Sequence, residues 1–278
     1  MEILEAAEEG AGLKRIAWQR RLEVLEMVCA AKAGHIGGSF SAMDILVTLY
    51  HAWFDTGKMI RKEFSRDRFV MSKGHCAEAL YTVLAGLNFF PREELETYAR
   101  FGTELAEHPT AKVPGVEMAT GSLGHGLSIA VGMAYGCRQD GLDSKITVLM
   151  GDGEQEEGTV WEAAMAASKF SLDKLTAFID RNGLQISGAT EEVMPLESLE
   201  EKYLAFGWQV LRCDGHEPAS ILGALNEKSA GKPRLIIAKT VKGYGSAVLE
   251  HIAESHHMIP TEEQYLKIRA DLASRLGI

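Results

Sequence analysis

The chain has 278 residues, 46% hydrophobic, 24% charged and 8% aromatic, a balance that excludes a disordered or fibrous protein. With 39 acidic against 29 basic side chains the net charge is −10, so the basic face that a phosphate backbone needs is lacking and nucleic acid is excluded as a partner. No run approaches the ~20 apolar residues that span a bilayer, and the acidic opening MEILEAAEEGAGLKR lacks the apolar core of a secretory signal.

Four dispersed cysteines (Cys29, Cys76, Cys137 and Cys213) form no Cys-x-x-Cys pair. They predict reduced thiols in a soluble, cytoplasmic protein rather than a zinc site. No repeat, low-complexity tract or Pro/Ser-rich linker interrupts the sequence, which predicts one domain over residues 1–278.

Helical spacing of Ile16, Trp18, Leu22, Leu25 and Met27 predicts an amphipathic first helix. A turn over Lys32–Gly38 follows, with Gly34, Gly37 and Gly38 supplying backbone freedom, and then a second helix over Ser41–Trp53. Short apolar runs begin next: Arg68–Met71, Ile146–Met150, Leu175–Ile179, Gln209–Leu211 and Leu235–Ala238. Runs of this length with little alternation suit strands buried on both faces of a parallel sheet. Helical segments such as Thr159–Lys169 and Pro218–Ser229 lie between them, and PLESLEEKY at 195–203 reads as a solvated amphipathic helix. The pattern predicts an α/β fold, a doubly wound and mostly parallel sheet with helices on both faces. Each run ends in a polar or glycine-containing cluster, and that edge is where open parallel sheets bind ligands.

The sharpest of these clusters are Gly151-Asp152-Gly153 and Asp180-Arg181-Asn182-Gly183. Alone, Gly-Asp-Gly is an ordinary turn. Thirty residues between Asp152 and Asn182 allow one strand-helix-strand crossover, which brings both side chains to neighbouring strand ends. A carboxylate with an amide oxygen is hard oxygen ligation, suited to Mg²⁺ or Ca²⁺ with a phosphate completing the shell.

With its flanks, this pair resembles the transketolase family of thiamine diphosphate enzymes. The motifs are GHIGGSFSAMDIL at 34–46, RDRFVMSKGH at 66–75, EHPT at 107–110, TGSLGHGLSIAVGMA at 120–134, GDGEQEEGTVWEAA at 151–164, DRNGLQISG at 180–188 and KTVKGYG at 239–245. They cover the chain nearly end to end in family order. A full-length transketolase carries a diphosphate-binding, a pyrimidine-binding and a C-terminal domain, and this chain resembles the first alone. The resemblance therefore implies the N-terminal subunit of a split transketolase with a thiamine diphosphate-binding fold. It would work as an α2β2 assembly with a partner chain that carries the other two domains, moving a two-carbon ketol unit between sugar phosphates.

By the same resemblance, Asp152, Asn182 and the Leu184 carbonyl would hold Mg²⁺ (or Ca²⁺ or Mn²⁺), and Gly153 and Lys242 would face the cofactor's diphosphate. Gly121 and Leu123 would meet its aminopyrimidine end, and Glu157 would lie between cofactor sites. His35, His75 (also a cofactor contact) and His108 would line the substrate channel, with either His256 or His257. The His-x-x-Pro spacing to Pro260 favours His257, and the spacing from Lys242 favours His256.

Two positions depart from the family pattern, His125 for a usual Gln and Ala33 for a usual Ser or Thr. His51 and His216 read as structural, His251 matches no family position, and Glu154 and Glu156 read equally as a helix start or as part of the site. Rival readings are a specialised deoxysugar or sulfosugar ketol transferase, a 2-oxo acid dehydrogenase α-type subunit, and a non-catalytic structural or regulatory subunit. The channel histidines favour sugar ketol transfer over the dehydrogenase. A nicotinamide site lacks its Gly-x-Gly-x-x-Gly between a first strand and helix.

Overall fold

The computed structural model describes every residue except Met1, Glu197 and Ala230, and residues 2–9 by their backbone alone. In chain order, α1 (Glu2–Ala31) and α2 (Ile36–Thr48) lead through a π-helical turn, Leu49–Trp53, to α3 (Thr56–Ile60). Strand β1 (Arg68–Met71) is followed by α4 (Ala77–Gly86) and α5 (His125–Gln139), then β2 (Ile146–Gly151), α6 (Gly158–Lys169) and β3 (Leu175–Arg181). A two-stranded hairpin, β4 (Leu184–Gln185) and β5 (Gly188–Ala189), precedes α7 (Thr190–Val193) and α8 (Leu199–Ala205). The last elements are β6 (Gln209–Asp214), α9 (Pro218–Asn226), β7 (Arg234–Lys239) and α10 (Glu262–Leu276).

Five strands form one sheet in the order β1-β2-β3-β7-β6, all parallel. Successive side chains of a strand point to opposite faces, and here both faces are covered. Phe69, Met71, Leu149, Phe178, Ile236 and Ala238 enter one core, built with α1, α2, α4, α9 and α10. Val70, Val148, Met150, Ala177, Ile179, Leu235 and Ile237 enter the other, built with α5, α6 and α8. Two-sided burial is why the strands read as unbroken apolar runs. The chain leaves β1 toward α4 on the first face and leaves β2 toward α6 on the second. Connections that part in this way open a crevice at the carboxyl edge between two neighbouring strands.

Two expectations are corrected. The second helix begins at Ile36, five residues before Ser41, so Gly37 and Gly38 are helical and only Gly34 of the three has a positive φ, 132°. Close packing explains the pair: a Cβ on Gly37 would sit 2.6 Å from the Ser255 carbonyl oxygen, and one on Gly38 2.7 Å from Cys76 Sγ. Of the segment at 195–203, in which Glu197 lies outside the described residues, Leu199 onward is helical and is anchored in the core. Tyr203 is fully buried against Trp208 and donates its hydroxyl to Gln155 Oε1 at 2.8 Å.

Candidate active site

At the carboxyl ends of β1, β2 and β3 lies a cavity of about 430 Å³. Its wall contains Asp152, Gly153, Glu157, Asn182, Leu184 and Lys242, with Gly121 and Leu123. His35, His75, His108 and His256 complete it. Every sequence-predicted site residue except His257 is thus brought to one space by the ends of several elements.

The oxygen donors converge as the strand register dictates, with Gly151 opposite Asp180 on β2 and β3. Asp152 is buried; its Oδ1 accepts from the Gly153 amide at 2.9 Å and its Oδ2 from the Gly183 amide at 2.6 Å and Arg181 Nη1 at 3.2 Å. Asn182 Oδ1 accepts from the Leu184 amide at 3.1 Å. A carboxylate offers about four lone-pair directions and an amide oxygen two, so both side chains retain capacity for a cation. Burial and the nearby Asp180 charge raise the Asp152 carboxyl above its usual range, a cost that a divalent cation would relieve. The donor set therefore fits Mg²⁺.

Lys242 is buried, and among the described residues its ammonium has no carboxylate partner; its one side-chain contact is His256 Nδ1 at 3.3 Å. Burial, then the Lys73 charge, lower its pKa to about 8. A buried cation so placed fits an anion such as a diphosphate.

Sequence reasoning missed the charged scaffold beneath. Lys73 pairs with Asp180, both fully buried. Burial opposes both charges, yet their attraction prevails, raising the Lys73 ammonium and lowering the Asp180 carboxyl. Asp180 also accepts from Ser41 Oγ at 2.6 Å and from Thr240 Oγ1, so one carboxylate joins α2, β1, β3 and β7. Glu154 also lines the cavity and braces it: its oxygens accept from Ser72 Oγ, the Gly124 amide at 2.8 Å and the Gly151 amide at 3.0 Å. Gly124 holds φ 81° at the start of α5, where a Cβ would meet the Glu157 side chain at 2.5 Å. Glu78 similarly fixes the His35 segment, accepting from the His35 amide at 2.7 Å and Tyr98 Oη at 2.6 Å.

His35 is the hub of a histidine cluster, its ring 5.5 Å from His75, 5.8 Å from His108, 5.4 Å from His256 and 4.8 Å from His257. Its Nδ1 is buried without a hydrogen-bond partner, 4.0 Å from Glu78 Oε1. Of the two alternatives, His256 lines the cavity, whereas His257 is half-exposed and lies 3.6 Å from Glu107. His125 is exposed at the start of α5, with Nδ1 3.0 Å from the Leu123 carbonyl oxygen, and does not line the cavity. Glu156 does.

Burial, and then neighbouring positive charges, lower His35 to about 4 and His256 to about 3, and hold His75 well below its usual value. These imidazoles are neutral at pH 7, each able to donate one hydrogen bond and accept another. The unfolded chain, with ordinary histidines near pH 6.5, binds the extra protons, so these groups make stability fall as pH drops from about 6.5 toward 4. The raised carboxyls of Asp152, Glu154 and Glu78 act with the opposite sign. Comparing variants cancels that term. Urea unfolding at pH 7 and pH 5.5 should show a stability loss smaller by roughly 2 kcal/mol in the His35→Asn/His75→Asn double variant than in the parent. An equal loss in both proteins contradicts the buried neutral assignment.

Residues 13–273 match the family model for the thiamine diphosphate-binding domain of transketolase. The chain belongs to the transketolase family. It is 48% identical to an apulose-4-phosphate transketolase subunit of Phocaeicola vulgatus over 93% of this chain and 92% of that one. It is 43% identical to the 6-deoxy-6-sulfo-D-fructose transketolase subunit SqwG of a Clostridium species, over 89% and 91%. Among solved structures, the transketolase of Campylobacter jejuni superposes with a TM-score of 0.87 at 31% identity, covering 96% of this chain but 43% of its own. This transketolase-family chain thus spans nearly the whole of relatives named as subunits and under half of a transketolase of known structure. Among the described residues no helix is long and apolar enough to cross a membrane.

Proposed function

We propose that the chain is the cofactor-anchoring subunit of a two-subunit ketol transferase. The observation that carries the reading is the single cavity that joins the Asp152–Asn182 oxygen pair and the buried Lys242 ammonium to four histidines. Asp152, the Asn182 amide and the Leu184 carbonyl would hold Mg²⁺, while the Gly153 amide and Lys242 bind the diphosphate and Gly121 and Leu123 meet the aminopyrimidine end. Thiamine diphosphate, when bound, supplies the electron sink for cleaving the bond beside a ketose carbonyl. The chain's own part is to anchor it and keep water out. His35, His75, His108 and His256 orient sugar hydroxyls and accept or return a proton at their oxygens, with His257 at the rim. Glu157 would face a second copy of the site across an α2β2 assembly.

Residues 1–278 would form one diphosphate-binding domain, and a partner chain would bring the pyrimidine-binding and C-terminal domains. The near-complete coverage of relatives that are themselves named as subunits supports that division. Their names also favour a specialised sugar phosphate, such as a branched or modified ketose, over the ordinary pentose phosphates. Calorimetry on the chain with its partner should show thiamine diphosphate binding that requires Mg²⁺ and is lost with EDTA. Binding that is indifferent to the chelator would remove the metal from this reading.

A further inference from the structure

The loop that presents Lys242 is gripped by a side chain outside the cavity. His216, in the turn between β6 and α9, is buried. Its Nε2 lies 2.9 Å from the Val241 amide, and only an unprotonated nitrogen can accept from that N–H. The proton must therefore sit on Nδ1, which lies 2.9 Å from Asp44 Oδ2. Asp44 is fully buried and ion-paired with Arg21, which is itself tied to the Phe40 carbonyl at 2.7 and 3.1 Å. The His216 ring stacks on Tyr244, centroids 3.6 Å apart and planes 14° from parallel. An imidazole is thus fixed in position, tilt and tautomer, with its one acceptor aimed at the Thr240–Val241 peptide, one residue before Lys242.

Two further bonds hold the same residue from other sides. The Gly243 amide donates to the Gly37 carbonyl at 2.9 Å, and the Lys242 carbonyl accepts from the His251 amide at 3.1 Å. Both are backbone pairs that any sequence could make. The bond from Val241 is the one supplied by a side chain, across 25 residues of chain. Leaving the Val241 amide unpaired would allow the loop to relax and the Lys242 ammonium, which burial and Lys73 both disfavour, to turn toward water.

We propose that His216 is a positioning residue for the anion site: through the Arg21–Asp44–His216–Val241 chain it keeps the Lys242 ammonium inside the cavity. The proposal rests on the reading of Lys242 as a diphosphate ligand, and the test separates the two. His216→Phe keeps the stacking ring but removes both nitrogens. His216→Asn keeps a donor for Asp44 and reaches no further, whereas His216→Gln places an acceptor near the Nε2 position.

In the chain purified with its partner, lysine acylation is followed by mass spectrometry against pH, alongside calorimetric titration with Mg²⁺ and thiamine diphosphate. The expected result for Phe and Asn is a Lys242 labelling midpoint that moves from about 8 toward the ordinary lysine value of about 10.4, and cofactor affinity about tenfold weaker. Lys73 should stay protected, which marks an intact fold, and Gln should restore both readings. If the Phe variant does not fold, Asn carries the test alone. An unchanged midpoint in a folded Phe or Asn variant overturns the proposal, as does a folded Gln variant no better than Asn. A Lys242→Met protein with parental affinity would instead sink the diphosphate assignment, leaving the labelling result to judge the clamp.

Discussion

Asp152→Ala should abolish Mg²⁺-dependent binding of thiamine diphosphate. Removing a partner one shell away from a metal costs about 10- to 100-fold in affinity, and a charged ligand in contact with the cation should cost at least the upper end of that range. The fold should survive. Asp152 is a buried carboxylate whose charge is disfavoured by burial and by Asp180, so its removal relieves that repulsion. It also leaves the amides of Gly153 and Gly183 without their acceptor, which offsets part of the gain. The expected signature is a thermal midpoint within a few degrees of the parent, at roughly 2–4 °C per kcal/mol for a chain of this size, together with a calorimetric trace lacking Mg²⁺-dependent heat. Parental affinity in the variant would refute the ligand assignment.

Much of this arrangement was legible before the fold was known, for a physical reason. Strands covered on both faces leave unbroken apolar runs such as ITVLM and LIIA, and each stops where the chain reaches the ligand edge. The residues at those stops therefore announce the cavity. What stayed hidden are features without a local signature. Lys73 and Asp180 are 107 residues apart and pair only because β1 and β3 end at the same edge. Either one alone reads as an ordinary turn residue.

Gly37 and Gly38 look in sequence like any turn glycines, yet they serve close contacts with Ser255 and Cys76. Adjacent residues of a 3₁₀ turn point about 120° apart. Of His256 and His257, at the end of the turn Ala253–His257, the inward one depends on a helical phase that periodicity over five residues cannot supply. His216 read as structural because its partners lie 172 and 25 residues away.

The second large effect concerns the division of labour. We expect the partner chain to complete the site around the cofactor's reacting end, beyond the contacts that Gly121, Leu123 and the cavity histidines offer. The isolated chain is therefore expected to be inert in ketol transfer, and the reconstituted pair to be active, a difference limited only by the detection floor of the assay. Mild copurification from native cells should yield that partner, a chain carrying a pyrimidine-binding domain.

The deciding measurement is ketol transfer, with thiamine diphosphate and Mg²⁺, by the chain alone, by the partner alone and by the two together across a panel of ketose and aldose phosphates. Transfer is expected in the mixture and none in either component. Turnover by the purified chain alone at the rate of the mixture, or none from a mixture that binds the cofactor, would contradict it.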